Sequence, residues 1–140
     1  KPSIVFLTAH GPKLLDFGVA RPLTGLEAEP GLTAPGMIIG TPRYLAPELF
    51  LGARPSPASD AYAFGVLAYE VLTGRRPFQG EDLEALRMAH LLTPPPRTPL
   101  PPPLDRALRR LLAKRPEDRL GLQAFLRVLA EASRPSPSRR

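Results

Sequence analysis

The pattern of apolar positions predicts a buried helix in the middle of the chain. From Ala61 to Thr73, apolar side chains cover nearly every face that a helix would present, and Gly74 follows as a stop signal. Ser59 is the expected N-cap, because its hydroxyl can accept a hydrogen bond from a free N–H group of the first turn. A helix that is apolar all round is expected at the centre of a fold, with other elements packed around it.

Amphipathic patterns predict three further helices. One spans Glu81 to Leu92 and has polar residues on one side. Two more follow towards the C-terminus, and Pro116 separates them because proline interrupts a helix. Their apolar positions recur at helical spacing and are Leu104, Leu108, Leu111, Leu112, Leu122, Phe125, Leu126 and Leu129.

The segments outside these helices carry different signals. Two short apolar runs, Ile4 to Leu7 and Lys13 to Leu15, flank turn residues and predict a β-hairpin that ends at Asp16. Arg21 to Ile39 has no period and is predicted to be a long loop. Pro94 to Pro103 is predicted to be an extended connector, because proline favours the polyproline II conformation. The predicted fold class is therefore mainly α with a short β-hairpin.

Composition narrows the classes of function. A length of 140 residues allows one domain at most, and the absence of cysteine excludes disulfides and thiolate chemistry. The net charge of +6 is spread along the chain without aromatic interleaving, so we expect no nucleic-acid partner. We also expect no membrane segment, because no apolar run reaches spanning length and the N-terminus has no signal pattern. Together these features favour a cytoplasmic protein.

Three motifs occur in a fixed order in the first third of the chain, and they point to phosphoryl-transfer chemistry. They are Asp16-Phe17-Gly18, Gly40-Thr41-Pro42-Arg43-Tyr44-Leu45 and Ala46-Pro47-Glu48. In this order and at this spacing they resemble the activation segment of a protein kinase. Lys1-Pro2-Ser3 resembles the end of the kinase catalytic loop, in which an Asp base stands two residues before the Lys. The chain is therefore expected to begin just after its catalytic base and to be inactive alone.

The resemblance covers nearly the whole chain and favours the serine/threonine branch, including its bacterial members. Further matches are Ser59 to Val66 and Leu72 to Phe78. The resemblance implies the C-terminal lobe of a partial α+β kinase fold over residues 1–133, followed by a disordered tail or linker at 134–140. It also implies ATP and Mg²⁺ as cofactors and a protein substrate with a Ser or Thr hydroxyl as partner.

The resemblance assigns a role to each site residue. Asp16 would hold Mg²⁺ against the nucleotide phosphates, because a hard cation prefers carboxylate oxygen. Lys1 would place a positive charge near the transferred phosphoryl group, and Thr41 would hydrogen-bond the base. Phe6 would form part of the floor under adenine, and Phe17 would pack below the site. For both phenylalanines, plain core packing is an equally good description, and Asp16 could instead cap a turn.

Other residues of the motifs are expected to have structural or regulatory roles. Glu48 would pair with Arg119, Asp60 would accept hydrogen bonds from the catalytic-loop backbone, and Gly18 completes the motif that holds Asp16. Thr33, inside the predicted loop, is a candidate phosphorylation site, with Thr24 as its nearest rival.

Ile4 departs from the family pattern. The kinase pattern has an Asn at this position for a second Mg²⁺, and Ile has no ligand oxygen. A pseudokinase-like scaffold without catalysis is therefore an alternative to the enzyme. A small unrelated helical domain is a third interpretation, and it requires the ordered motifs to be coincidental. The glycine-rich loop, the strand Lys and the His-Arg-Asp motif of a kinase are absent from this sequence.

Overall fold

A computed structural model describes residues 5–8, 11–14 and 42–135. Two short strands pair antiparallel, with Val5 opposite Leu14. Most of the described chain is helical, which confirms the prediction of a mainly helical protein. The strands and helices are β1 (Val5–Thr8), β2 (Gly11–Leu14), α1 (Pro47–Phe50), α2 (Pro57–Thr73), α3 (Leu83–Leu92), α4 (Pro102–Leu111) and α5 (Leu122–Ala132). Short 3₁₀ turns occur at Pro42–Tyr44 and Pro116–Asp118.

The N-terminus of α2 lies earlier in the chain than the apolar pattern predicted. Ser56 is the N-cap, and its side chain accepts a hydrogen bond from the backbone N–H of Ser59. The Ser59 hydroxyl in turn accepts from the backbone N–H of Ser56, which completes a capping box. The prediction of Ser59 as N-cap is therefore wrong by three residues. Pro57 fits the first turn because its fixed φ suits the helix and its missing N–H is not needed there.

Helix α2 is central but is not buried on every side. Its fully buried positions include Tyr62 and Val66, whereas the side chain of Val71 is 67% exposed. Phe64 and Leu67 are half-buried. The sequence analysis predicted that this helix is buried on nearly every face. That prediction is wrong for the face that carries Val71, near the C-terminus of the helix. Gly74 ends the helix as predicted, with a φ of 72° that favours glycine.

The core lies where α2, α4 and α5 meet. Leu108, Leu111 and Leu112 from the region of α4 are fully buried, as are Tyr62 of α2 and Phe125 of α5. Helix α4 approaches α2 closely at Gly65, where an added Cβ would lie 2.9 Å from the Leu111 Cβ. The leucine stripe and the Phe125 position of the sequence pattern therefore form the centre of the fold.

The proline-rich connector is shorter than predicted. It has no regular structure from Pro94 to Thr98, but Pro102 and Pro103 form the first turn of α4 instead of extending the connector. The connector is fixed to α4 by Asp105. The Oδ1 atom of Asp105 accepts hydrogen bonds from the backbone N–H and the hydroxyl of Thr98, at 2.8 and 2.9 Å. The connector therefore has a defined position relative to α4.

Helix α3, in contrast, starts later than predicted. It begins at Leu83, and the Asp82 side chain caps it by accepting a hydrogen bond from the backbone N–H of Ala85. Glu81 precedes the cap. Within the described residues, no helix combines the length and the apolar character that crossing a membrane would require.

Candidate functional site

Arg119 ties the Ala46-Pro47-Glu48 motif to the C-terminal helices. Its Nη1 and Nη2 atoms each donate to one carboxylate oxygen of Glu48, both at 2.6 Å. The same guanidinium donates to the backbone carbonyls of Ala58, Ala113 and Lys114, at 3.0, 2.8 and 3.1 Å. All five N–H groups of Arg119 therefore have acceptors.

This ion pair is almost completely shielded from water. The Arg119 side chain is 1% exposed and that of Glu48 is 16% exposed. The guanidinium carbon lies 4.9 Å from the centre of the Tyr62 ring, so an aromatic face covers the charge. A buried carboxylate that lacks a bidentate partner is costly, and the planar fork of arginine matches it. The structure brings together the two residues that the sequence analysis paired.

Tyr44 connects the 3₁₀ turn before this motif to the end of α2. Its hydroxyl donates to Oε2 of Glu70 at 2.6 Å. Partial burial, together with the adjacent Glu70 carboxylate, raises the pKa of Tyr44 to about 12, so it stays a donor. The sequence analysis quoted Tyr44 as part of a motif but did not identify Glu70 as its partner, which lies 26 residues away.

A buried aromatic cluster contains His90. The Nδ1 atom of His90 is hydrogen-bonded to the Tyr62 hydroxyl at 2.8 Å, and the ring centre is 4.9 Å from that of Phe78. Lys114 places its Nζ 3.8 Å from the centre of the Phe78 ring and donates to the Ala89 carbonyl at 3.3 Å. This cluster joins α3 to α2 and to the segment between α4 and α5.

Burial controls the charge states in the cluster. Burial, assisted by the positive charge of Lys114, lowers the pKa of His90 to about 4, so the imidazole is neutral at pH 7. Burial also lowers the pKa of Lys114 to about 8, and the Arg119 charge adds to this effect. The sequence analysis missed His90. Its position four residues after Leu86 on the apolar side of α3 is the signal that could have found it.

Asp60 lies in the first turn of α2 and is exposed in the described structure. Partial burial of its carboxyl group raises its pKa above the usual value. Within the described ranges its side chain makes no hydrogen bond. The catalytic-loop backbone, its expected partner, lies outside them.

Of the remaining predicted site residues, all but Phe6 fall outside the described positions. Phe6 lies on β1, where its Cα is opposite that of Lys13. The others are Lys1, Ile4, Asp16, Phe17, Gly18, Thr33 and Thr41. In residues 42–135, no group of three or more His, Cys, Asp or Glu side chains could hold a metal ion.

Comparison with known proteins identifies relatives over almost the entire chain. Residues 1–129 match the family described as protein kinase domain. The chain is 43% identical over 113 residues, 80% of its length, to serine/threonine-protein kinase PknA of Mycobacterium tuberculosis. It is 40% identical to serine/threonine-protein kinase Pkn1 of Myxococcus xanthus and to PkaA of Streptomyces coelicolor, over 96% and 94% of its length. The chain covers 25%, 22% and 25% of these three relatives, or about a quarter of each.

Proposed function

Because this chain belongs to the protein kinase domain family, we propose that it serves in transferring the ATP γ-phosphoryl group to Ser or Thr hydroxyls of a protein substrate. In this proposal it supplies the C-terminal lobe of the kinase fold, with β1 and β2 as its hairpin. Relatives at about 40% identity that are named serine/threonine-protein kinases support this assignment. It would act in the cytoplasm, where ATP is available.

The contact between Glu48 and Arg119 carries this proposal. Phosphoryl transfer depends mainly on positioning and on stabilising negative charge, so a kinase needs a fixed segment next to its substrate. Arg119 fixes Ala46-Pro47-Glu48 by two hydrogen bonds to Glu48, and its three bonds to backbone carbonyls hold the guanidinium in place. The contact between Tyr44 and Glu70 restrains the same segment from the side of α2.

The donor set of the sequence fits the cofactors used by the family, with one exception. Protein kinases generally use ATP and Mg²⁺, which together supply the transferable phosphoryl group and neutralise its charge. The Asp16 carboxylate has the oxygen chemistry to hold Mg²⁺, whereas Ile4 has none. Phe6 and Phe17 would pack around the nucleotide site.

Lys1 and Thr41 are proposed to act on the substrate side of the transfer. A lysine contributes a compact positive charge and three N–H donors, which suits an anionic phosphoryl oxygen. Thr41 can both donate and accept a hydrogen bond and so can orient a neighbouring carboxylate base. Asp60 would hold the catalytic-loop backbone, because a carboxylate at the start of α2 can accept several N–H bonds.

The transfer reaction itself tests this proposal. We expect the gene product that contains this chain to phosphorylate a generic protein on Ser and Thr with radiolabelled ATP. Asp16→Ala should abolish transfer, because it removes the carboxylate that holds the metal. Glu131→Ala removes an exposed carboxylate on α5 and is the matched control. Transfer that survives Asp16→Ala would contradict the assignment.

Ile4 supports a second candidate, a kinase-like scaffold without catalysis. The position expected to hold the second metal has an apolar side chain, whereas the Glu48–Arg119 framework is intact. A scaffold would bind its partner protein with no phosphoryl transfer. If the wild-type gene product binds protein but incorporates no label above that of Asp16→Ala, the scaffold is the correct assignment.

A further inference from the structure

Two adjoining cavities at the C-terminal end of α2 share an arginine-rich wall. Their volumes are about 420 and 580 Å³, and Arg75, Arg76 and Gln79 line both. Arg43 lines the first cavity, and Arg97 lines the second. We call this continuous surface, lined by Arg43, Arg75, Arg76, Gln79 and Arg97, the arginine groove.

The groove carries an uncompensated positive charge. Glu70 is its acidic lining residue, and the Tyr44 hydroxyl and Arg76 already engage that carboxylate, at 2.6 and 3.8 Å. Within residues 42–135, Arg75 and Arg97 form no ion pair. Both arginines are exposed. The groove therefore offers several guanidinium N–H donors to a ligand.

The loop that carries Arg75 and Arg76 is held in place by its own hydrogen bonds. The Thr73 hydroxyl donates to the Tyr69 carbonyl at 2.7 Å and accepts from the backbone N–H of Arg75 at 3.2 Å. At the other end of the loop, Gly80 packs so closely that an added Cβ would clash with the backbone N of Leu86. A fixed loop reduces the entropy that a bound ligand must remove.

The opposite wall is equally restrained. Pro96 and Pro99 of the connector line the second cavity beside Arg97. Thr98 lies between them and is held by Asp105, whose other carboxylate oxygen pairs with Arg109 at 3.1 Å. The second cavity thus lies between two restrained walls, the end of α2 and the connector.

We infer that the arginine groove binds an acidic segment of a protein, and so selects substrates with anionic side chains near the phosphorylated residue. The planar guanidinium group can donate two parallel N–H hydrogen bonds to two oxygen atoms of a carboxylate or a phosphate. The biological meaning rests on the proposed kinase function, whereas the binding itself does not. The anionic groups can be Asp and Glu side chains or phosphorylated Ser and Thr, since both present the same oxygen chemistry.

The groove suits a peptide better than a nucleic acid. Single-stranded nucleic acids are usually held by exposed aromatic rings on which bases stack. Tyr69 is the aromatic side chain that lines the second cavity, and it is 6% exposed. Phe78, the aromatic side chain that lines the first cavity, is 3% exposed, so neither cavity presents an exposed aromatic ring to a base.

Direct binding tests the inference without ATP. Fluorescence anisotropy would measure how tightly the gene product binds three fluorescein-labelled peptides of equal length. One is rich in glutamate, the second is its phosphoserine counterpart and the third is rich in glutamine. We expect binding of one or both anionic peptides and none of the glutamine peptide. Raising the salt from about 0.1 M to about 1 M should weaken binding, because the Debye length falls from about 10 to about 3 Å. The ratio of the two anionic affinities identifies the preferred source.

A double variant and a charge-matched control locate the site. Arg75→Ala together with Arg97→Ala should lower the affinity for the anionic peptide by about tenfold, since each exposed charge contact contributes a factor of up to about five. Arg106→Ala with Arg127→Ala removes the same charge from exposed positions outside the groove and should leave the affinity unchanged. Equal weakening by both pairs would show a general charge effect and overturn the inference.

Two further outcomes separate this inference from the proposed function. If no peptide binds while phosphoryl transfer is normal, the inference that the arginine groove binds an acidic segment is wrong and the kinase assignment stands. Binding without transfer would overturn the kinase assignment alone. An oligothymidine that binds more tightly than the anionic peptides and displaces them would show a nucleic-acid site and overturn the peptide assignment.

Discussion

The acceptors around Arg119 make this residue a sensitive point of the fold. Arg119→Ala would leave the Glu48 carboxylate and three backbone carbonyls without their partner. Removing one member of a buried ion pair costs about 3–5 kcal/mol, and urea unfolding should show a loss of that size. Arg115→Ala is the control, because the pair that Arg115 forms with Glu117 is exposed, and it should have little effect. A small loss for Arg119→Ala would show that water replaces the guanidinium.

Sequence analysis identified the pair of Arg119 and Glu48 but not the surroundings of Arg119. The two residues are 71 positions apart, and only the resemblance to the kinase family relates them. The carbonyls of Ala58, Ala113 and Lys114 gave no signal, because every residue has a carbonyl. Which ones converge on Arg119 depends on how the ends of α2 and α4 pack.

His90 should make the stability of the protein depend on pH. In the unfolded chain His90 titrates near its usual 6.5, and in the folded protein near 4. Between these pH values the unfolded state binds more protons, so the free energy of unfolding falls as the pH falls. The full contribution is present above about pH 6.5, and its loss is on the order of 3 kcal/mol by pH 4.

Variants of the two histidines isolate this effect. We expect His90→Gln to flatten the pH dependence of urea unfolding between pH 4 and 6.5. His10→Gln removes the other histidine of the chain and should leave the slope unchanged. Identical slopes for wild type and His90→Gln would mean that carboxylates alone determine acid sensitivity.

Thr33 is the residue at which we predict regulatory phosphorylation. A phosphate adds negative charge and acceptor oxygens that can order a loop through arginine contacts. We expect mass spectrometry of the active gene product to find phosphate on Thr33, and Thr33→Ala to lower its activity. Thr24→Ala is the control. Modification confined to Thr24 or Thr41 would contradict this prediction.

At the scale of elements, Gly65 determines how closely α2 and α4 approach. Alanine in a helix is favoured over glycine by about 1 kcal/mol, but a Cβ at position 65 would lie 2.9 Å from the Leu111 Cβ. Overpacking a core costs about 1–3 kcal/mol, so the clash should outweigh the propensity. We expect Gly65→Ala to lower the midpoint of urea unfolding. A higher midpoint would show that α4 can move aside.

The helix cores were more predictable than their ends. Apolar periodicity located α2 to α5 because burial of one face requires it. The ends depend on local hydrogen bonds. Either Ser56 or Ser59 can serve as the N-cap of α2, because both have a hydroxyl that accepts a hydrogen bond. Pro102 shows the same difficulty, since proline suits both an extended connector and a first helical turn. In the structure, Ser56 caps α2 and Pro102 lies in the first turn of α4.

For the molecule as a whole, charge is distributed differently in space than along the sequence. The basic residues are spread along the sequence, and this argued against a nucleic-acid partner. Folding places Arg43, Arg75, Arg76 and Arg97 on two adjoining cavities. No spacing rule could predict this, because the arginines come from a turn, a loop and the connector.

Activity of the whole molecule should respond to Ile4. If the protein is a kinase, an amide oxygen at position 4 would complete the set of oxygen donors that Asp16 begins. We expect Ile4→Asn to raise phosphoryl transfer and to lower the Mg²⁺ concentration at which a fluorescent ATP analogue binds half-maximally. Ile4→Leu is the matched control, because it keeps an apolar side chain and adds no oxygen, and it should behave like wild type. Equal Mg²⁺ dependence of nucleotide binding in all three proteins would mean that another group already supplies the oxygen. The departure at Ile4 would then be no evidence for a scaffold.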